Sequence, residues 1–443
     1  MPGPVPPRTT KTVQQRNAGK SDRISKMTSL LVAVAVLATG ILVRAYGGIP
    51  TINSQRLSSR QLPDQAQVID WKSFNVLPNV LPATVANASE FFFIPPGHTL
   101  ESLNAKPFHI YDDEFLDVIG SNPTLTLIAD SGSDELFHEA TLWYPSTDEV
   151  FFVQNAGAKG VGTGLNKSNV VSKIALSEAV AVSNKRNATG SVNIEKVDTP
   201  DIVNSNGAAI YQGQILFTTE GQGANIAPNL VLMNPKAPYN TTVILNNYFG
   251  RQFNSLNDLA INPRNKELYF TDTLYGYLQD FRPAPGLRNQ VYRYNSETGA
   301  VAAVADGFGY PNGITFSPNG SHVYITDTGL SAGFFGWNFS NPASLYRYDV
   351  QEDGTFSNRQ LFAYVDSGGP DGIHCDSNGN VYTGTGDGVQ VFNPSGKLIG
   401  KIFLGLTSAN FNFAGDGRFV ICAEEYLYYA NIAAVGGAYV GDL

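Results

Sequence analysis

The sequence is poor in the residue types on which disulfide-rich and zinc-binding proteins depend. Its 443 residues include two cysteines, Cys375 and Cys422, and five histidines. Two cysteines exclude a disulfide scaffold and a cysteine-rich zinc module. They can pair in an oxidising compartment or remain two buried thiols, and the sequence leaves both alternatives open.

Charge is also scarce, since charged residues make up 15% of the chain and apolar residues 42%. This composition excludes a disordered chain and a coiled coil, which both need more charge. The net charge of −9 is uneven, because residues 1–45 carry seven basic side chains and one acidic one, which leaves −15 for the rest. An acidic body argues against a nucleic-acid partner, since phosphate contact needs a positive surface. It is compatible with a hard cation bound through oxygen ligands.

The apolar run near the N-terminus is short. Leu30–Val43 has fourteen residues without a charge, whereas a membrane helix needs about twenty. This length is typical of a signal peptide, and Val43-Arg44-Ala45 offers small residues at the usual cleavage spacing. We therefore expect residues 1–45 to be a basic leader with a signal peptide, and the protein to be secreted. If the segment is not cleaved, it acts as a signal anchor and brings the protein to a membrane.

Two further features accompany this leader. Residues 46–104 hold scattered prolines and no sustained period, so we expect a mostly extended lead-in that wraps or links. Sequons for N-glycosylation agree with secretion, although a chain rich in Asn, Ser and Thr yields several by chance. They begin at Asn87, Asn166, Asn187, Asn240, Asn319 and Asn338.

Turn formers and aromatic residues are abundant, with 44 Gly, 25 Pro, 21 Tyr and 26 Phe. This mixture favours many short strands joined by loops. One pattern recurs: an Asn or Asp, a short apolar strand, a turn containing Asn, and a second strand rich in Tyr, Phe and Val. It is found in Leu256–Thr273, Pro311–Thr328 and Pro370–Thr385. Tight turns of this kind predict antiparallel strand pairs.

Each unit continues with two further strands, as in Val291–Tyr294 (VYRY) and Leu345–Tyr348 (LYRY). Four strands per unit, at a period of roughly 40–60 residues, are typical of propeller blades. We therefore predict an all-β fold, a six-bladed β-propeller with four-stranded antiparallel blades, over residues 105–443. A seventh blade within residues 160–200 is the alternative count, and a β-sandwich is the weaker alternative fold. The weaker copies of the unit are His138–Val153, Gly207–Glu220 and Ala409–Ala423.

The repeat also predicts a site. The residue just before each inner strand faces one mouth of the central channel, so equivalent residues of different blades converge. Those residues are Glu139, Asn257, Asn312 and Asp371. Two carboxylates and two amide oxygens suit a hard cation such as Ca²⁺, with Mg²⁺ or Mn²⁺ as substitutes. The alternative is that the three aligned side chains, those of Asn257, Asn312 and Asp371, only cap turns through hydrogen bonds to the backbone.

The ordered motifs resemble the gluconolactonase/regucalcin family of calcium-dependent six-bladed propellers, especially its fungal lactonohydrolase branch. The motifs are HEATLW at His138, SLNDL at Ser255, YFTDT at Tyr269, PNGITFSPNG at Pro311 and PDGIHCDSNGNVY at Pro370. The resemblance covers roughly residues 105–432. It implies that the four residues named above meet at a central Ca²⁺.

This chain departs from the family pattern in two motifs. Glu139 is followed by Ala140 and Thr141, where the family usually has Gly-Pro, and Ser255 stands where animal members carry arginine. Sugar-lactone contacts inferred from that arginine do not transfer to this chain. The departures therefore affect the substrate more than the cation.

The chemistry we predict is hydrolysis of a small lactone. A bound Ca²⁺ polarises the ester carbonyl, and Asp371 moves the proton of the attacking water, with Glu139 as the alternative base. Asn257 is expected to contact the substrate. His374, three residues after Asp371, either contacts the substrate or has a structural role. Asp272 and Asp327 line the channel, bind a second cation or, more simply, close turns at strand ends.

Two other functions use the same site. One is a phosphotriesterase or arylesterase, and the other is a calcium-binding propeller without turnover. The sequence contains no phosphate-binding loop, no G-x-S-x-G nucleophile elbow and no His-Glu-x-x-His zinc helix, which removes those chemistries from consideration.

Overall fold

Short strands dominate the computed structural model, which describes residues 61–80, 93–185 and 190–437. Within these residues lie 26 strands and four short α-helices. The helices are α1 (Leu100–Ala105), α2 (Phe115–Ile119), α3 (Leu176–Ser183) and α4 (Tyr275–Leu278). The strands are β1 (Ala66–Val68), β2 (Phe108–Ile110), β3 (Thr124–Asp130), β4 (Glu139–Tyr144), β5 (Glu149–Val153), β6 (Val171–Ala175), β7 (Glu195–Val197), β8 (Ser205–Tyr211), β9 (Gln214–Thr219), β10 (Leu230–Met233), β11 (Thr241–Leu245), β12 (Leu256–Ile261), β13 (Leu268–Asp272), β14 (Gln290–Asn295), β15 (Ala300–Asp306), β16 (Pro311–Phe316), β17 (His322–Asp327), β18 (Ser344–Val350), β19 (Phe356–Tyr364), β20 (Ile373–Cys375), β21 (Val381–Thr385), β22 (Gly388–Phe392), β23 (Leu398–Phe403), β24 (Asn410–Phe413), β25 (Arg418–Ala423) and β26 (Tyr426–Asn431).

Four blades consist of four strands that follow one another along the chain. Blades 1 to 4 are β4–β7, β8–β11, β12–β15 and β16–β19, each ordered from the channel outwards. Within each blade neighbouring strands are antiparallel. The predicted four-stranded blade and the count of six are confirmed. Residues 160–200 do not form a seventh blade, because β6 and β7 complete blade 1 around helix α3.

Blades 5 and 6 both recruit strands from the N-terminal part of the chain. Blade 6 combines β24–β26 with β3, which pairs antiparallel with β26 and so joins the two ends of the propeller. Blade 5 contains β20–β23, and β2 and β1 extend its outer edge to six strands. The lead-in therefore adds a strand to the sheet, and α1 is helical where we expected extended chain. Thr99 begins α1 with a capping box.

The inner strands come close together around the channel, and this explains the glycine in the recurring motif. A Cβ atom on Gly313 would lie 2.5 Å from the carbonyl oxygen of Asp371 in the neighbouring inner strand. A Cβ on Gly207 would lie 2.7 Å from the Cα of Asp258. Side chains larger than hydrogen would therefore push the inner strands apart.

Both cysteines are buried and free, so the alternative of a disulfide between Cys375 and Cys422 is wrong for this structure. Each thiol is held inside a blade, and burial raises the pKa of both above the usual range. A protonated, inaccessible thiol is a packing residue and not a nucleophile.

The features expected near the N-terminus fall largely outside the described residues. The leader at residues 1–45 lies outside them, as do the sequons at Asn87 and Asn187. The four sequon asparagines within the described chain, Asn166, Asn240, Asn319 and Asn338, are exposed. Among the residues that the structure describes, no helix is both long and apolar enough to span a membrane.

An ionic cluster buried in blade 5 yields a stability prediction. The Nζ atom of Lys401 lies 2.8 Å from Asp366 and 2.8 Å from Asp387, and the Lys401 and Asp387 side chains are each 4% exposed. Lys401→Met leaves a buried carboxylate without its counter-charge, so we expect it to lower the free energy of unfolding by about 3–5 kcal/mol. Urea unfolding would measure this. The control is Lys397→Met, which removes only surface ion pairs and should cost less than about 1 kcal/mol; equal losses would contradict the prediction.

Candidate functional site

One end of the central channel opens into a cavity of ≈ 220 Å³. The four residues predicted to hold a cation all line it, so the structure brings together side chains that lie far apart in the sequence. They stand at the start of inner strands β4, β12 and β16, or shortly before β20. The same wall contains His138, Asn206, Glu220, Tyr275, Gln279, Thr328 and Trp337.

The pairing register refines the alignment of blade 1 with the others. In blades 3 and 4 the residue just before the asparagine pairs with the last residue of the second strand. Leu256 pairs with Asp272, and Pro311 pairs with Asp327. In blade 1 that pairing residue is Glu139 itself, opposite Val153. Ala140, with a φ of 51°, therefore takes the backbone position of Asn257. Glu139 reaches the cavity from one residue earlier than the sequence alignment placed it.

Blade 2 contributes a site residue that the sequence analysis missed. Asn206 holds in β8 the register position that Asn257 holds in β12, because Ser205 pairs with the end of β9. The signal was present, since Ser205–Gly207 reads Ser-Asn-Gly. The predicted copy of the repeat begins at Gly207, one residue too late to include Asn206.

Several oxygens in the cavity are buried without a hydrogen-bond partner among the described residues. They are the Oδ1 atoms of Asn206, Asn257 and Asp371, together with the Tyr275 hydroxyl. Buried polar atoms are normally satisfied, so these atoms point to a bound ligand, cation or water. Carboxylate and amide oxygens are the donors that Ca²⁺ prefers, and the residues present therefore fit a hard cation.

The oxygens that could hold a cation come from amide side chains as well as from carboxylates. Among the described residues, no group of three or more His, Cys, Asp and Glu side chains is placed to hold a metal. The fit therefore depends on the amide oxygens as much as on Glu139 and Asp371. This combination disfavours Zn²⁺, which prefers nitrogen and sulfur ligands.

The two carboxyl groups of the site hold their protons more tightly than usual. Burial raises the pKa of Glu139 well above its ordinary value, and the nearby charges of Asp371 and Asp258 raise it further. Burial also raises the pKa of Asp371 to about 6, against the lowering effect of His138. Asn410 donates a hydrogen bond of 2.6 Å to Glu139 and orients it. Both carboxyl groups therefore stay protonated to a higher pH than exposed carboxyl groups do.

His138 and Glu424 form an ion pair at the edge of the cavity. The Nδ1 atom of His138 lies 2.9 Å from Glu424 Oε2. Burial lowers the pKa of His138, but the carboxylates of Glu424, Asp371 and Glu135 together raise it to about 9. His138 therefore offers positive charge and a hydrogen-bond donor beside two site carboxyls. In the sequence His138 begins the HEATLW motif, which predicts no role for it.

Glu220 and Ser255 form the polar wall between blades 2 and 3. Ser255 Oγ donates to Glu220 Oε2 at 2.5 Å, and Asn206 Nδ2 lies 3.4 Å from Glu220 Oε1. Burial raises the pKa of Glu220 to about 7. Ser255 Oγ also accepts from the backbone N–H of Gly276 in α4 at 3.0 Å. Ser255 stands where animal relatives are expected to carry arginine, and it is a small residue that hydrogen-bonds to Glu220 and to α4.

The aspartates at the ends of the second strands close loops. Asp272 accepts backbone N–H bonds from Asn254 and Ser255, and Asp327 accepts them from Gly309 and Tyr310. Neither aspartate lines the cavity that holds the predicted site. The simpler expectation, that they fix turns at strand ends, matches these contacts.

His374 lies elsewhere, and the expectation that it shares this mouth does not hold. It lines a separate cavity with Trp143, Phe316 and Asn412. Each residue of a strand advances about 3.3 Å, so three residues past Asp371 carry it roughly 10 Å along β20. Its ring packs edge-on against Phe411, and burial lowers its pKa to about 4. A neutral, packed histidine on the far side is a structural residue.

Comparisons with known proteins agree with this geometry. The family model described as SMP-30/Gluconolactonase/LRE-like region matches residues 139–421. Lactonohydrolase oryL of Aspergillus oryzae is 29% identical over 323 residues, which cover 68% of this chain and 68% of that protein. Lactonohydrolase oryH of the same organism is 25% identical over 369 residues, covering 68% of this chain and 74% of that protein. A solved gluconolactonase from Xanthomonas campestris has a TM-score of 0.56 at 21% identity, covering 74% of this chain and 94% of that one; at this identity the likeness supports the fold.

Proposed function

The chain belongs to the SMP-30/Gluconolactonase/LRE-like family, and we propose that it is a lactonase that opens the ring of a small lactone by attack of water. The observation that carries the proposal is the cavity in which the buried carboxyls of Glu139 and Asp371 lie beside unpartnered amide oxygens. The curated relatives that match most of the chain are named lactonohydrolases. We propose an aldonolactone or a related hydroxy-acid lactone as the substrate class.

We further propose Ca²⁺ as the cofactor, with Mg²⁺ or Mn²⁺ as possible substitutes. Glu139, Asn257, Asn312 and Asp371 would hold it, since all four line the cavity with oxygen donors. When bound, a divalent cation polarises the ester carbonyl and stabilises the negative charge that develops on its oxygen. The unpartnered Oδ1 atoms of Asn257 and Asp371 support this assignment.

The protein side chains move the proton. Asp371 accepts a proton from water as the water oxygen bonds to the carbonyl carbon, and it returns that proton to the ring oxygen as the ring bond breaks. Burial raises its pKa to about 6 in the cation-free protein, and a cation bound beside it would lower that pKa, so Asp371 is ionised at neutral pH. Glu139 is the alternative base. Asn257 orients the substrate, and His138 keeps a positive charge beside the developing anion.

We also propose that the protein is secreted, with residues 1–45 as the leader and residues 105–443 as the lactonase propeller. The exposed sequons at Asn166, Asn240, Asn319 and Asn338 support this location, because a glycan needs an accessible asparagine. Retention of the leader would instead anchor the protein to a membrane.

A pH-indicator assay on a lactone panel, with and without a chelator, tests the function. We expect hydrolysis that EDTA abolishes and that added Ca²⁺ restores by at least about a hundredfold, since the cation carries much of the charge stabilisation. Phosphotriesters and aryl esters belong in the same panel. If the protein hydrolyses only phosphotriesters or aryl esters, its substrate belongs to that ester class and is not a lactone. Cation binding without hydrolysis of any ester would make the protein a calcium-binding propeller.

A further inference from the structure

A group of exposed aromatic side chains lies on α4 and on residues 334–339, and one of them, Trp337, lines the cavity. Tyr277 is 37% exposed, Phe334 39%, Phe335 68%, Trp337 37% and Phe339 38%. We call these five residues the aromatic rim. Large apolar side chains that remain in water and adjoin one another mark a binding surface.

The rim residues form stacked pairs. Phe335 stacks on Tyr277 with ring centroids 5.8 Å apart, and Trp337 stacks on Phe339 at 6.4 Å. Lys159 places its Nζ 3.6 Å from the centroid of Phe334. Stacking fixes the rings of each pair side by side, so each pair presents one continuous apolar face.

The backbone beneath the rim is well supported. Residues 330–338 close on themselves, since Ala332 N–H donates to the Gly336 carbonyl and Asn338 N–H donates to the Leu330 carbonyl. The loop also packs tightly on α4, where a Cβ on Gly333 would lie 2.9 Å from the Leu278 carbonyl oxygen. A preformed surface loses little entropy when a ligand binds.

The rim is continuous with the proposed catalytic cavity. Trp337 lines that cavity and is also exposed. Tyr275 lines it too and is the first residue of α4, the single helical turn that also carries Tyr277. The hydroxyl of Ser255 accepts a hydrogen bond from the backbone N–H of Gly276 in α4. Helix α4 therefore lies beside Ser255, the position where the family resemblance leads us to expect an arginine.

From this arrangement we propose that the substrate lactone carries an apolar substituent, an alkyl chain of several carbons or an aryl group, which lies on the aromatic rim. The proposal rests on the lactonase function. The deep part of the cavity holds the polar oxygens proposed to bind the cation that polarises the lactone carbonyl, whereas the mouth offers aromatic carbon. A ligand with a polar ring and an apolar tail matches both parts.

The test is a homologous series of δ-lactones with 6-methyl, 6-propyl and 6-pentyl substituents, with D-glucono-δ-lactone as the polyhydroxylated member. Each methylene placed on the rim should raise kcat/KM by about threefold, so the pentyl lactone should exceed the methyl lactone by about eightyfold. In the double variant Phe335→Ala, Phe339→Ala we expect this ratio to fall below about ten. The matched control is Tyr364→Ala, an aromatic side chain of similar exposure (60%) on the outermost strand of blade 4, which should keep the ratio.

Calorimetric binding of the corresponding 6-alkyl δ-lactams, whose ring amide resists hydrolysis, separates the two proposals. Kd values that fall with chain length in the wild type, and fall less in the double variant, support the rim even if no lactone is turned over. Lactam binding of this kind without turnover of any lactone would contradict the lactonase function and leave the proposal for the rim in place. Turnover with no effect of chain length on kcat/KM or on Kd, or a preference for the polyhydroxylated lactone, would overturn the rim as a substrate site and leave the lactonase function in place.

Discussion

Asp371→Ala is expected to abolish lactone hydrolysis, with a fall in kcat of at least about a thousandfold. The substitution removes the proposed base and one of the two cation-binding carboxylates in a single change. Asp371 lines the cavity, and its Oδ1 atom is buried without a hydrogen-bond partner in the described structure. Steady-state assays with saturating Ca²⁺ would measure the effect, and calorimetry would follow the accompanying loss of Ca²⁺ binding.

The matched control lies near the far end of the same blade's inner strand. Asp376 is fully buried, and its carboxylate accepts hydrogen bonds from the Tyr382 hydroxyl and the Asn380 side chain and backbone. Asp376→Asn should lower stability and leave kcat within about threefold of the wild type, since it changes packing away from the cavity. Full activity in the Asp371→Ala protein would remove Asp371 from the mechanism. Equal loss in both variants would mean that the effect reports folding.

Ca²⁺ is expected to raise the melting temperature strongly near pH 7.5 and weakly at pH 5. Without a cation, the raised pKa values of Glu139 and Asp371 mean that the folded protein binds more protons than the unfolded chain. Stability in EDTA therefore falls as pH rises from the ordinary carboxyl pKa through about 6. A cation binds the ionised carboxylates and offsets that loss, by about 2.7 kcal/mol when free Ca²⁺ is a hundredfold above Kd.

Protonation of the same carboxyl groups also makes the affinity for Ca²⁺ depend on pH. Below about pH 6 both Asp371 and Glu139 are protonated in the cation-free protein, so binding must release two protons and Kd should rise about a hundredfold for each unit that the pH falls. Thermal melts at pH 5 and pH 7.5, with Ca²⁺ or with EDTA, would measure the difference, and Asp371→Ala should lose most of it. A shift of equal size at both pH values would show that the cation binds away from these carboxyls.

The sequence determined the repeating unit, because alternating apolar residues and Asn-containing turns at a regular period specify strand pairs locally. It also determined three of the converging positions, Asn257, Asn312 and Asp371, since a residue at or just before the start of the inner strand carries an oxygen donor in three blades. The glycine after two of them follows from the close approach of the inner strands, which leaves no room for a Cβ on Gly313.

The tertiary structure decided what depends on distance in space. Strand β3 completes blade 6 although about 300 residues separate it from β26, and no local pattern encodes that pairing. The burial that raises the pKa values of Glu139 and Glu220 arises only when six blades close around one channel. His374 was misplaced for the same reason, because closeness in sequence to Asp371 says nothing about which end of the channel a side chain meets. The aromatic rim likewise exists only because two loops of neighbouring blades fold against each other above the cavity.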